Sequence, residues 1–108
     1  MTTYIAVLPC ETSADSNDHA PLYQESFVLL TAADEARARE KAEVHGKGLE
    51  TSYENEAGEL ITWRPRHVVD VGEVLDERLT DGSELYARHF RNYAAYCCFE
   101  PLLSGEQP

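Results

Sequence analysis

Lys and Arg are scarce in this chain, nine in 108 residues against 20 Asp and Glu, which gives a formal net charge of -11. Duplex nucleic acid is bound by clustered cations that displace counterions from phosphates, so this balance excludes nucleic acid as the expected ligand. Cysteine is also sparse. Cys10 and the adjacent Cys97 and Cys98 are the only three. An odd number with two neighbours rules out a disulfide framework, and free thiols fit a reducing compartment. The spacing offers neither a C-x-x-C nor an H-x-x-x-H pair, so no metal ligands and no cofactor are expected. No window nears the roughly 18 apolar residues of a membrane helix, and the N-terminus has no basic leader. The expectation is a cytoplasmic protein that does not enter a membrane.

The length suits one hydrophobic core. Tyr4 to Leu8 is a β-prone run that should end at Pro9, followed by a polar loop to Ala20. Across residues 22–30, Tyr23, Glu25, Phe27 and Leu29 alternate with Gln24, Ser26, Val28 and Leu30. That pattern predicts a strand whose far end is buried on both sides. Thr31, with Asp34 three residues on, is placed as the N-cap of a helix over 31–46. Ala38, Ala42, His45 and Leu49 would form its apolar stripe, with Gly46 or Gly48 as the stop.

Residues 51–55 and 59–63 flank a Gly58-containing connection and read as a β-hairpin. Ile61, Trp63, His67, Val69 and Val71 share one parity, but Pro65 cannot donate to a ladder, so an edge or a bulge is expected there. Asp81-Gly82 marks a turn. Residues 83–90 fit a strand by alternation, while Leu85, His89, Tyr93 and Cys97 also fit a helical stripe; strand to Phe90 and then helix is the favoured division, with the end from Leu102 frayed. The predicted architecture is α+β: a mainly antiparallel four- or five-stranded sheet with one helix on a face, over 1–90. A C-terminal aromatic extension, 91–108, would pack on the domain or on a partner protomer.

Tyr4-Ile5-Ala6-Val7-Leu8, Tyr23-x-Glu25-Ser26-Phe27-Val28-Leu29-Leu30-Thr31-Ala32, Glu50-x-x-Tyr53-x-Asn55-x-x-Gly58-Glu59-x-x-Thr62-Trp63 and Asp81-Gly82-x-Glu84-x-Tyr86-x-Arg88 together resemble a family of small bacterial proteins, domain-of-unknown-function family 4288. The resemblance implies a small α+β domain and no particular activity. It runs from about Tyr4 to Phe90, so the tail with Tyr93, Tyr96, Cys97, Cys98 and Phe99 lies beyond it.

Trp63-Arg64-x-Arg66-His67 concentrates cation and aromatic in an acidic chain, a combination suited to anion recognition or an interface anchor. The plainer reading fills the core with Trp63 and pairs Arg64 and Arg66 with the acidic stretches at 50–59 and 70–84. His45 could act on a proton near Glu50 or Tyr53, yet its position on the alanine stripe favours packing or capping. Gly46-Lys47-Gly48 follows a helix, whereas a phosphate cradle precedes one. No residue is therefore assigned a catalytic role. Glu25, Tyr53, Asn55, Glu84, Tyr86 and Arg88 are polar strand positions that could converge on one sheet face, as a partner surface if open or as a hydrogen-bonded network if covered.

The sequence thus points to a small acidic cytoplasmic binding protein, an inhibitor or immunity-like partner of a basic protein. The competing reading is a small-molecule-binding protein or small enzyme. Its pocket would lie between helix and sheet or across a homodimer and would use His45, Trp63, Arg64 and Arg88. A homodimer through the aromatic tail is a third expectation.

Overall fold

The computed structural model describes residues 1–14, 22–76 and 78–103. Its organising element is β1, Thr2–Ala14, which runs straight through Pro9 instead of ending there. Along one edge β1 pairs antiparallel with β2, Leu22–Ala32, from Thr2↔Ala32 to Thr12↔Leu22. Along the other edge it pairs first with β5, Asp70–Glu73, and then with β4, Leu60–Pro65, while β3, Thr51–Glu54, adds to β4. All these pairings are antiparallel, and the described sheet has five strands in the order β2-β1-β4-β3 with β5 also on β1.

Pro9 is tolerated because backbone polar groups alternate between the two edges of a strand. Val69 and Val74 donate to the carbonyls of Val7 and Thr3, so the odd residues of β1 face the β4 and β5 edge. The missing amide of Pro9 points to that edge, where the partner strand is interrupted. Its carbonyl still accepts from the Arg66 amide at 2.8 Å. From Cys10 to Val7 is three steps along β1, but their partners Pro65 and Asp70 are five steps apart, so two extra residues bulge between β4 and β5. The bulge at Pro65 is as expected; the strict alternation across 61–71 is not. Val68 packs against the core and Val69 is 43% exposed, because the extra residues interrupt the pleat.

Helix α1 spans Glu35–Lys47. Its N-cap is Asp34, whose Oδ1 accepts from the Arg37 amide at 2.9 Å, and not Thr31. Thr31 and Ala32 are still paired with Thr3 and Thr2, so the chain is extended there. The buried stripe is Ala38, Ala42 and Gly46, with His45 turned outward. A spacing of four keeps the smallest side chains against the sheet, which lets the helix approach closely and rotates the imidazole into solvent. Gly48 caps the C-terminus by donating to the Val44 and His45 carbonyls.

The core lies between α1 and one sheet face. Tyr4, Ala6 and Leu8 of β1, Ala32 of β2 and Val71 of β5 meet Ala38 and Ala42, with Val28, Leu30, Leu49 and Val68 at the rim. Alternation sends Ile5 and Val7 to the opposite, open face with Tyr23, Glu25, Phe27 and Leu29 of β2. The far end of β2 is therefore not buried on both sides: Phe27 and Leu29 are 58% and 54% exposed. Residues 83–90 form no strand, also contrary to expectation. After a turn closed by Gly82 at φ 88° and a Thr80–Ser83 bond, the chain returns across the open face as an irregular segment. Tyr86 anchors it there, its hydroxyl bonded to Asp70 and its ring against Gly72.

Beyond it lie α2, Tyr93–Phe99, capped by Asn92 at Ala95, and a 3-10 turn, Pro101–Leu103. The helix expected in the tail is present. The first four residues of the loop expected after Pro9 are strand, and the rest of that loop, like the end after Leu103, lies outside the described residues. No described helix is long and apolar enough to cross a membrane.

Asp34→Ala removes the hydroxyl-free cap at the start of α1 and is expected to lower stability by ~1 kcal/mol in urea unfolding. Thr31→Ala, at the position the sequence suggests as the cap, should cost distinctly less.

Candidate functional site

Three places on the molecule bring chemically active side chains together. The first is the hairpin of β3 and β4. Asn55 builds its turn: its Oδ1 accepts from the Ala57 and Glu59 amides at 3.0 and 2.9 Å, and Gly58 adopts φ 79°. The register sets Tyr53 opposite Ile61 and Thr51 opposite Trp63, so Tyr53 and Trp63 project from one face. Tyr53 is half exposed and Trp63 half-buried. Helix α1 packs over β1, β2 and β5, and every residue of β3 is exposed. Glu50, Glu54 and Glu56, all exposed, and the partly buried Glu59 lie in or beside the same hairpin, with Glu54 on the face opposite Tyr53 and Trp63. Arg64 projects from the other face, opposite Glu11.

The second place is the centre of the open face. Tyr86 hydrogen-bonds to the Asp70 carboxylate. Its ring lies 6.1 Å from that of Phe27 and presses on Gly72, where a Cβ would come within 3.2 Å of Tyr86 Cε1. Only glycine admits this approach without displacing the ring. Burial, then the bond and charge of Asp70, with a smaller contribution from Glu25, push the phenol up to about 12 against the opposing pull of Arg88. Glu25, Tyr86 and Arg88 thus do converge, whereas Tyr53 and Asn55 belong to the hairpin and Glu84 serves the turn, its amide donating to Asp76 at 2.6 Å. Sequence reading missed Asp70. The signal available was Gly72 two residues on, a strand glycine that marks close approach by another group.

The third is a cavity of about 790 Å³ between the last turns of α1 and the bulge, lined by Glu43, Gly46, Lys47, Pro65, Arg66, His67 and Val68. Arg66 is held at its mouth by Glu11 at 2.8 Å, and not by either acidic stretch. His45 lies elsewhere, beside Leu30, Glu40, Lys41 and Val44. The four residues proposed to share one pocket are therefore dispersed: Trp63 and Arg64 on opposite faces of β4, His45 on the outer side of α1, and Arg88 beside Tyr86. Among the described residues no three His, Cys, Asp or Glu side chains gather as metal ligands. Burial raises the Cys10 thiol above its ordinary range, which favours the uncharged, unreactive form.

A family model described as "Domain of unknown function (DUF4288)" matches residues 3–87, and the chain belongs to that family. No curated protein and no solved structure matches it. The match covers the sheet, α1 and Tyr86 and stops before α2.

One of the six tyrosines should ionise late in an alkaline absorbance titration, and Tyr86→Phe should abolish that late step. Since the folded phenol titrates near 12 and an unfolded one near 10, the unfolded chain loses its proton first. The Tyr86 contribution is complete below pH ~10 and is lost as pH rises towards 12, so wild type should lose stability over that window more steeply than Tyr86→Phe.

Proposed function

We propose that this DUF4288 chain is an acidic protein-binding module of the bacterial cytoplasm that docks a basic partner on the β3–β4 hairpin, in the manner of an inhibitor or immunity protein. The observation that carries the reading is the placement of Tyr53 and Trp63 on one face of a hairpin outside the helix layer, in a stretch, 50–63, that carries four glutamates and no lysine or arginine. Aromatic anchors on an acidic element let a few residues dominate affinity while the surrounding charge steers encounter. The net charge of -11 adds long-range attraction for a basic surface. Three unpaired thiols support a reducing compartment.

A second reading rests on the cavity beside the bulge. Lys47 and Arg66 offer cations and His67 a ring N–H donor to a small carboxylate or phosphate, although Glu11 already occupies Arg66. A ligand of that class should raise the melting temperature of wild type and not that of a Lys47→Ala/His67→Ala variant.

Trp63 is the sole tryptophan, so its fluorescence reports on the hairpin directly. Titration with basic proteins recovered by affinity capture should shift that emission, weaken with added salt, and lose about 30-fold in affinity in Tyr53→Ala, the ~2 kcal/mol of an interface anchor. Binding that ignores both salt and Tyr53, or no binding at all while a small anion stabilises the protein, would turn the assignment towards the cavity.

A further inference from the structure

The same chain carries an apolar sheet face that the Tyr86 segment covers over β1 and leaves exposed along β2, and an apolar helix without a sheet. On the open face Tyr23, Phe27, Leu29 and Leu85 are 64%, 58%, 54% and 45% exposed. Phe27 and Leu85, with Ile5 and Tyr86, line an apolar hollow of about 290 Å³. In the tail, α2 rests on the 3-10 turn that follows it. Phe99 and Leu102 are 73% and 92% exposed. Phe90, Tyr93 and Tyr96 stack edge-on among themselves, with centroids 4.8 and 6.2 Å apart, and give the segment a stable shape of its own.

The whole molecule is correspondingly open. Its Cα radius of gyration is 17.0 Å, against about 13 Å for a compact domain of this length. Its accessible surface is 8238 Å², against roughly 6,000 Å² for a folded monomer of this mass. The excess is well above the ~800 Å² that each partner contributes to a stable interface.

We propose that the α2 segment of one protomer docks on the open sheet face of a second copy, reciprocally, to form a two-fold tail-exchanged dimer. Charge favours this occupant over the rest of the chain's surface. Residues 93–103 contain a single charged side chain, Glu100, so the contact brings no acidic surface against another in a protein of net charge -11. The tail leaves the sheet at Tyr86, and the six residues 87–92 can span up to ~20 Å, enough to cross a two-fold axis beside β2. Exchange is isologous, so each dimer buries two copies of one contact. The contact uses Phe27 and Phe99, not the hairpin, and is therefore independent of the partner site proposed above.

Full-length Phe27→Asp and Phe99→Asp test it, since both side chains are exposed and neither change disturbs the core; circular dichroism should match wild type. Light scattering should give twice the 12.1 kDa chain mass for wild type and a single chain mass for each variant. An equimolar mixture of the two variants should recover dimer, because one supplies an intact tail and the other an intact face. Wild type that stays monomeric at every concentration would overturn the proposal, as would dimers that persist in both variants and so use another surface such as the free edge of β2.

Discussion

Everything in this fold depends on β1 having no free edge. A strand hydrogen-bonded on both sides and covered on both faces must be apolar at successive positions, and Tyr4 to Leu8 are all buried, with Ala6 and Val7 at 0% exposure. On its helix face β1 needs small neighbours, and Ala38, Ala42 and Gly46 supply them. On its open face it needs a cover that is not a helix. Tyr86 meets that need by lying over Gly72, with its hydroxyl bonded to Asp70 so that burial of the phenol leaves no unpaired polar atom.

The two prolines follow from the same constraint. Pro65 pairs with Cys10, an even residue whose backbone groups serve β2, so the amide that Pro65 lacks would point away from β1, past the end of β3. Pro9 turns its own missing donor to the gap between β4 and β5. Each proline sits where the ladder has nothing to lose. The bulge between them turns Val68 to the core and releases Arg66 and His67 to the cavity, with Arg66 tied to Glu11.

Much of this was legible in the sequence, and the failures have definite causes. The hairpin was readable because Gly58 marks the connection between two β-prone runs, and α1 because its alanines recur at helical spacing. Asn55, read as the end of the first strand, instead closes the turn, because its Oδ1 accepts from the Ala57 and Glu59 amides. Its start was misread because Thr31 and Asp34 are both capping residues, and only pairing with Thr3 shows that Thr31 is still strand. Residues 83–90 alternate like a strand but join no ladder: Leu85 and Tyr86 both meet Ile5 and Phe27 on the open face. The dispersal of His45, Trp63, Arg64 and Arg88 was beyond local reading, since it depends on the rotation of α1 and on which sheet face the helix selects. The hairpin anchors, by contrast, follow from alternation and register alone.

The order of synthesis gives β1 a further consequence. Tyr4 pairs with Leu30 and with Glu73, the latter 69 positions along the chain. During translation β1 and β2 can meet early, but the other edge of β1 has no partner until β4 and β5 have left the ribosome. Closing so long a loop is entropically costly and slow relative to local pairing. For that interval the nascent chain presents an uncharged strand, Tyr4 to Leu8, with one edge unpaired. An unpaired apolar strand edge of this kind is a general template for aggregation.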